Sequence, residues 1–284
     1  MSLNSWVLRD RVFEWGQQTY LMGVLNVTPD SFSDGGQFST LKAAFQQAHQ
    51  LVKQGADFLD IGGQSTRPNA EEVSLPEELD RVIPVIKALR QDPAIASIPI
   101  SIDTTRSQVA EAAIAAGADL VNDISGATYD AEMFPTIAKL RVPIILMHSR
   151  GTPKTMQSLT RYQDLIKEIY DFLETQYKTA TSMGIDRVML DPGIGFAKTY
   201  EQNLEILRRL HAFHALECPI LVGASRKSFI GHILNQPDPQ KRVWGTAAAC
   251  VSAIATGADV LRVHDVAEMR DACRVADAIW RGIK

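Results

Sequence analysis

Cysteine is scarce in this chain of 284 residues. The three present, Cys218, Cys250 and Cys273, are far apart and odd in number. That excludes a disulfide framework and a paired-cysteine metal knuckle, and their apolar neighbours assign them to a core. An excess of one charge is also missing. Twenty-nine basic and 33 acidic residues leave a net charge of −4, so no basic field invites nucleic acid or an anionic membrane surface. No long uncharged apolar run occurs, and no membrane-spanning helix is expected. The opening MSLNSWVLRDRVFEWG lacks a basic stretch followed by an apolar one, which argues against a secretory leader. Together these absences point to a cytoplasmic protein. Linkers rich in Pro, Gly or Ser are absent as well, so residues 1–284 read as a single domain. Neither a GxxxxGK[ST] phosphate loop nor a His/Cys cluster at zinc spacing is present.

What the chain does have is a repeated grammar. Gly55-Ala56-Asp57 precedes FLDIGG, Gly117-Ala118-Asp119 precedes LVNDIS, Gly184-Ile185-Asp186 precedes RVMLDPG, and Gly257-Ala258-Asp259 precedes VLRVHD. The spacing between repeats is about twice what one strand–helix unit needs. The missing strands lie between them: Ile98–Thr105, Val142–His148 and Cys218–Ser225, which with Tyr20–Val27 make eight. Helical periodicity separates them over Thr40–Gln54, Pro76–Arg90, Arg106–Ala116, Ala131–Leu140, Arg161–Met183, Glu201–His214, Lys241–Thr256 and Val266–Arg281. Eight such units predict an α/β fold, a (β/α)8 TIM barrel, with a doubly wound open sheet as the alternative. Residues 1–17, with apolar WVL and VFEW around Arg9-Asp10-Arg11, read as a short N-terminal β-hairpin able to plug one end of the barrel.

Polar residues collect where strands become loops. Asn26 ends the first strand, and Gly62-Gly63-Gln64-Ser65-Thr66-Arg67-Pro68 follows the second. Asp103, Asn122-Asp123, His148 and Asp191 end the next four, Ser225-Arg226-Lys227-Ser228 follow the seventh, and Arg262-Val263-His264-Asp265 end the eighth. Any one of these is explained by a helix cap or a turn. All eight converge on one mouth, the functional face of a barrel. The mixture suits a polar heterocycle and an anion. Arg262 and His264 alternate with Val263 and face one side of their strand, a pairing suited to phosphate. Asn26 offers a neutral oxygen to a hard cation such as Mg²⁺ that binds phosphates and keeps most of its waters. Two long loops, 30–39 and 62–75, leave the mouth, and Phe32 is the lone apolar residue in the polar part of the first.

Several blocks in order, MGVLNVTPDSFSDGG (Met22–Gly36), DIGGQSTRP (Asp60–Pro68), SIDTT, VNDISG, MHSRGTPKTMQ (Met147–Gln157), DPGIGFAK (Asp191–Lys198), GASRKSFIG (Gly223–Gly231) and RVHDV, closely resemble the dihydropteroate synthase family over nearly the whole chain. The resemblance implies a transferase of folate biosynthesis, the target of sulfonamides, that condenses (7,8-dihydropterin-6-yl)methyl diphosphate with p-aminobenzoate. It implies a pterin held by Asp103, Asn122, Asp191 and Lys227, and diphosphate near Asn26, Arg262, Val263 and His264 with Mg²⁺. It places p-aminobenzoate near Thr66, Pro68, Phe196 and Ser228. Asp34, Arg67 and Lys227 are then the catalytic residues, and a homodimer through outer helices is the family habit. Gln64 stands where the family pattern has Glu, and Ser149 where it commonly has Met. The competing readings are a pterin-binding methyltransferase-type barrel working with a cobalamin partner, and a non-catalytic pterin binder.

Overall fold

The computed structural model describes residues 5–28, 37–65 and 71–282, with the backbone alone for 37–40. Two strands, β1 (Trp6–Leu8) and β2 (Arg11–Phe13), pair antiparallel as a hairpin. Eight parallel strands follow: β3 (Tyr20–Asn26), β4 (Phe58–Gly62), β5 (Ile100–Asp103), β6 (Leu120–Asp123), β7 (Ile144–Met147), β8 (Val188–Asp191), β9 (Leu221–Val222) and β10 (Val260–Val263). Each pairs with its neighbour in sequence, and β10 returns to pair with β3. A bridge between Leu190 and Ile220 joins β8 to β9 and completes the circle. The sheet is therefore closed, and the open-sheet alternative is set aside. The helices between strands are α1 (Gln37–Gln54), α2 (Leu75–Gln91), α3 (Ser107–Ala116), α4 (Met133–Leu140), α5 (Leu165–Ser182) and α6 (Tyr200–Arg208). After β9 come α7 (Ser228–Ile233) and α8 (Val243–Ala255), and α9 (Val266–Trp280) closes the chain.

The period of two along each strand divides the residues between two cores. Outward side chains such as Leu21, Leu59, Ile102, Val121, Leu146, Leu190, Leu261 and Val263 join the helices in one large apolar shell. Inward ones at the strand starts, Tyr20, Met22, Phe58, Leu120, Ile145, Met189, Leu221 and Val260, form a second cluster with Trp6, Leu8, Phe13 and Trp15. The hairpin is thus the barrel's floor, as its apolar sequence predicts. Phe13 packs on Phe58 with ring centroids 4.4 Å apart.

The Gly-x-Asp repeats have a mechanical meaning. Gly55, Gly117, Gly184 and Gly257 all take positive φ, between 83° and 116°, which ends the preceding helix or turn without a Cβ clash. The aspartate two residues on then stitches neighbouring strands. Asp57 accepts the Leu21 amide at 2.9 Å, Asp119 that of Ile100 at 2.8 Å, and Asp259 those of Ile220 at 2.9 Å and Gly16 at 2.7 Å. Asp186 makes no such stitch. It is exposed beside Arg187, 3.8 Å away.

Element edges differ from the expected ones most clearly in three places. The expected helix from Arg161 begins at Leu165, because Asp164 caps it by accepting the Lys167 amide. The helix expected over Glu201–His214 stops at Arg208 and tightens to a 3₁₀ turn over Leu210–Leu216. There the Arg209 amide is shared between the Glu205 and Ile206 carbonyls. The strand expected over Cys218–Ser225 pairs only at Ile220–Val222, between Pro219 and Gly223.

Candidate active site

Above the apolar floor the barrel interior turns polar. Asp60 lies in the middle of β4 with no solvent exposure. Arg262 on β10 donates from Nε to Asp60 Oδ2 at 2.6 Å and from Nη2 to Asp103 Oδ2 at 2.7 Å. The Asn122 amide lies 3.3 Å from Asp60 Oδ2. One guanidinium therefore ties three strands together across the lumen. In register, Asn26 pairs with Gly62, Gly62 with Asp103 and Asp103 with Asn122, so these residues form one row around the mouth.

Asp191 sits at the end of β8, where its Oδ1 accepts the Gly193 amide at 2.7 Å. Burial raises its pKa to about 6, against the pull of that amide and of Lys227. Burial also raises Asp103, with Arg262 opposing and Asp60, Glu78 and Asp123 adding to the rise. Lys227, half-buried at the start of α7, holds its Nζ 4.1 Å above the Phe196 ring centroid. Burial and then the Arg262 charge lower its pKa to about 8, against the opposing pull of Asp191 and Asp103. His264 is held by Ser225, whose Oγ accepts the His264 amide at 3.2 Å and lies 3.1 Å from Nδ1. Burial and then the Arg262 charge push the imidazole down to about 3, so it is neutral in the empty site. Ser228 is exposed at the first position of α7.

Asp103, Asn122, Asp191, Lys227, Phe196 and Arg262 thus gather at one place. Val263 does not join them, because it faces the outer shell with no exposure. Phe32, Asp34, Thr66, Arg67 and Pro68 lie outside the described residues. Among the described residues no cluster of three or more His, Cys, Asp or Glu could hold a metal. The oxygen row does suit a cation that takes most ligands elsewhere. A Cβ on Gly62 would lie 3.6 Å from Asp103 Oδ2 and 3.8 Å from Asn26 Oδ1, so the glycine keeps open a gap between two oxygen donors. Beside the mouth a cavity of about 150 Å³ runs between Asp103, Ile124, Tyr129, Lys154 and Phe196.

Sequence reasoning did not assign Asp60, Ser225, Lys198 or Arg242. Asp60 could have been found as a charge inside the apolar run FLDIG. Arg242 had no local signal: it is buried, and it donates to the carbonyls of Arg226 at 2.9 Å, Gln236 at 2.9 Å and Pro237 at 2.6 Å, fixing the segment that presents Lys227.

Residues 22–264 match the family described as pterin binding enzyme. The chain is 59% identical over 272 residues to the dihydropteroate synthase of Synechocystis, covering 95% of this chain and 93% of that one. The chain belongs to the dihydropteroate synthase family. Two solved structures of this family superpose closely. That of Clostridium difficile, determined in the presence of pteroic acid, has a TM-score of 0.88 at 47% identity and covers 95% of this chain and 99% of its own. That of Xanthomonas albilineans with 4-aminobenzoic acid has a TM-score of 0.89 at 40% identity, covering 98% of each chain. As a dihydropteroate synthase family member, this chain is a transferase of folate synthesis on a TIM barrel, as its sequence blocks imply.

Proposed function

We propose that the polar ring above the hydrophobic floor is the pterin site, and that the mouth above it assembles diphosphate and aryl amine. The reaction is the family's condensation of (7,8-dihydropterin-6-yl)methyl diphosphate with p-aminobenzoate to give 7,8-dihydropteroate and diphosphate. The observation that carries the assignment is the convergence of Asp103, Asn122, Asp191 and Lys227 on one lumen already bridged by Arg262. Carboxylates accept from the ring's donor edge, the Asn122 amide can do both, and Lys227 donates to a ring acceptor.

The chemistry needs a C–O bond broken with its electron pair leaving on diphosphate. A C–N bond then forms from the amine, whose nitrogen sheds a proton. The aniline nitrogen is already nucleophilic, so the chain's task is to position, to stabilise the leaving anion and to exclude water. Arg262 and His264 at the end of β10 face the departing anion. Asn26 and the substrate oxygens would hold Mg²⁺, which would supply charge neutralisation on the diphosphate. No Ser-His-Asp arrangement is required.

The protein acts in the cytoplasm as a homodimer. Exposed apolar residues run from the end of α7 through α8 to α9: Ile233, Leu234, Trp244, Val275, Ile279 and Trp280, with Trp244 76% exposed. A face of that kind supports self-association. Sedimentation of the wild type against Trp244→Glu tests it, the wild type running as a dimer and the variant as a monomer.

A turnover assay with pterin diphosphate and p-aminobenzoate tests the function. Dihydropteroate and diphosphate released in equal amounts support it. Methyl transfer to a cobalamin protein, or binding of pterin without turnover, would replace it with one of the other two readings.

A further inference from the structure

Lys198 closes the block DPGIGFAK, and neither pterin, diphosphate nor amine explains it. The side chain is 3% exposed. Its Nζ makes two bonds, to the Phe196 carbonyl at 3.0 Å and to His148 Nδ1 at 3.0 Å. Burial holds the His148 imidazole neutral, so one of its ring nitrogens can accept a hydrogen bond. His148 is itself buried, edge-on to Phe172 with ring centroids 5.1 Å apart.

The loop that Lys198 grips is strained. Gly193, Gly195 and Ala197 alternate in positive φ, at 74°, 84° and 50°. Ala197 pays for that with a Cβ, so something must hold it there. The Tyr162 hydroxyl donates to the Ala197 carbonyl at 3.0 Å, and Arg150 stacks on the Tyr162 ring with its Cζ 3.8 Å from the centroid. Two side-chain donors thus clamp consecutive carbonyls: Lys198, at the end of the loop, holds that of Phe196, and Tyr162, from outside it, that of Ala197.

Lys227 lies directly on the clamped loop. A Cβ on Gly195 would meet Lys227 Cδ at 2.9 Å, and the Phe196 ring lies under Nζ. The loop's shape therefore sets where the Lys227 ammonium stands.

We infer that Lys198 is a positioning residue for the reaction, which with Tyr162 holds the Gly193–Lys198 loop in its strained form so that Phe196 and Gly195 present Lys227 to the pterin. The inference rests on the reading of Lys227 as a pterin ligand. The geometric part stands apart from that reading and is measurable without substrate.

The experiment uses the full chain with ¹³C-labelled lysine. The ε-methylene protons of Lys227, identified by their loss in Lys227→Arg, resonate upfield because they lie over an aromatic ring, and Phe196→Leu abolishes that shift. Lys198→Met keeps the length of the side chain and removes its donors. It is expected to move the Lys227 signal most of the way to its Phe196→Leu position and to lower kcat/KM for the pterin substrate about 10- to 100-fold. Tyr162→Phe, which removes one hydroxyl from a half-buried ring, moves the signal in the same direction by less and decides the matter if Lys198→Met does not fold. A Lys227 signal at its wild-type position in the folded variants overturns the inference. Displaced signals with unchanged kcat/KM would show instead that Lys227 is not a pterin ligand, with the positioning itself upheld.

Discussion

Arg262 Nε lies 2.6 Å from Asp60 Oδ2, a carboxylate without solvent exposure on a strand 202 positions away in sequence. The pair reaches past β3, the one strand between them, and shares its guanidinium with Asp103. A buried charge left alone is expensive, commonly about 3–5 kcal/mol when one partner of a pair is removed. Asp60→Ala leaves Arg262 paired with Asp103, so it is expected to cost less than that by urea denaturation, about 1–3 kcal/mol. Pterin affinity falls as well, because the Asn122 amide loses its neighbour. Arg262→Met instead leaves both Asp60 and Asp103 without their cation and should cost the full range.

Asp103 and Asp191 are at strand ends and outside the apolar shell, so their loss is a binding defect before it is a folding defect. Each of Asp103→Ala and Asp191→Ala is expected to weaken pterin binding by about 1.5–3 kcal/mol, the range for a hydrogen bond to a charged group. Titration calorimetry with a pterin checks this, and an unchanged affinity in either variant removes that residue from the site. Stability responds in the opposite sense at Asp191. Its folded pKa is raised to about 6 by burial, so the ionised group opposes folding at neutral pH, and Asp191→Ala does not destabilise through that charge.

The same shifts set a pH dependence. Carboxylates with raised folded pKa values are protonated in the empty protein at low pH and must ionise to accept from the pterin's donor edge. Affinity therefore rises with pH through about 6 as Asp191 ionises, and Asp103, raised by burial, steepens that limb. Lys227, lowered to about 8 by burial, loses its proton above that value and its donor strength with it. A bell with its maximum between about 6 and 8 is the expected affinity profile, after correction for the pterin's own ionisation. Asp191→Asn makes the acid limb shallower, leaving the part due to Asp103, and Lys227→Met removes the alkaline one.

Much of this was legible in the sequence because the barrel repeats. The eight strands, the hairpin floor and the residues Asp103, Asn122, Asp191, Lys227 and Arg262 follow from periodicity and from the polar residues that end each strand. What was not legible depends on contacts across the lumen. The sequence places Asp60 on a strand but does not tell that β10 will bring Arg262 opposite it. Arg242 acts on the carbonyl of Arg226, 16 positions away, and Lys198 on one in its own loop, and a carbonyl carries no residue-type signal. Val263 stands between two polar residues of the mouth, yet alternation along β10 turns it outward into the shell. The same alternation that turns Arg262 inward required this.

The Gly-x-Asp repeat offers a test of the fold that leaves the site untouched. Asp259 is buried and accepts two amides, from Gly16 at the base of the hairpin and from Ile220 at the start of β9. Replacing it with alanine leaves both donors unpaired in the barrel floor, at a cost of roughly 1–3 kcal/mol for each buried group. Asp186 occupies the same place in the repeat but is exposed and stitches nothing, so Asp186→Ala should change stability by no more than about 0.5 kcal/mol. Burial also raises the folded pKa of Asp259, opposed by those amides. A raised carboxylate favours the protonated fold, so the wild type's contribution from this group declines as pH rises through its folded pKa, and the variant lacks that slope. Both proteins should keep the wild-type KM for pterin diphosphate, since the floor and the mouth lie at opposite ends of the strands. Equal stability losses in the two variants would show that the repeated aspartates serve only as turn residues after their glycines and not as links between strands.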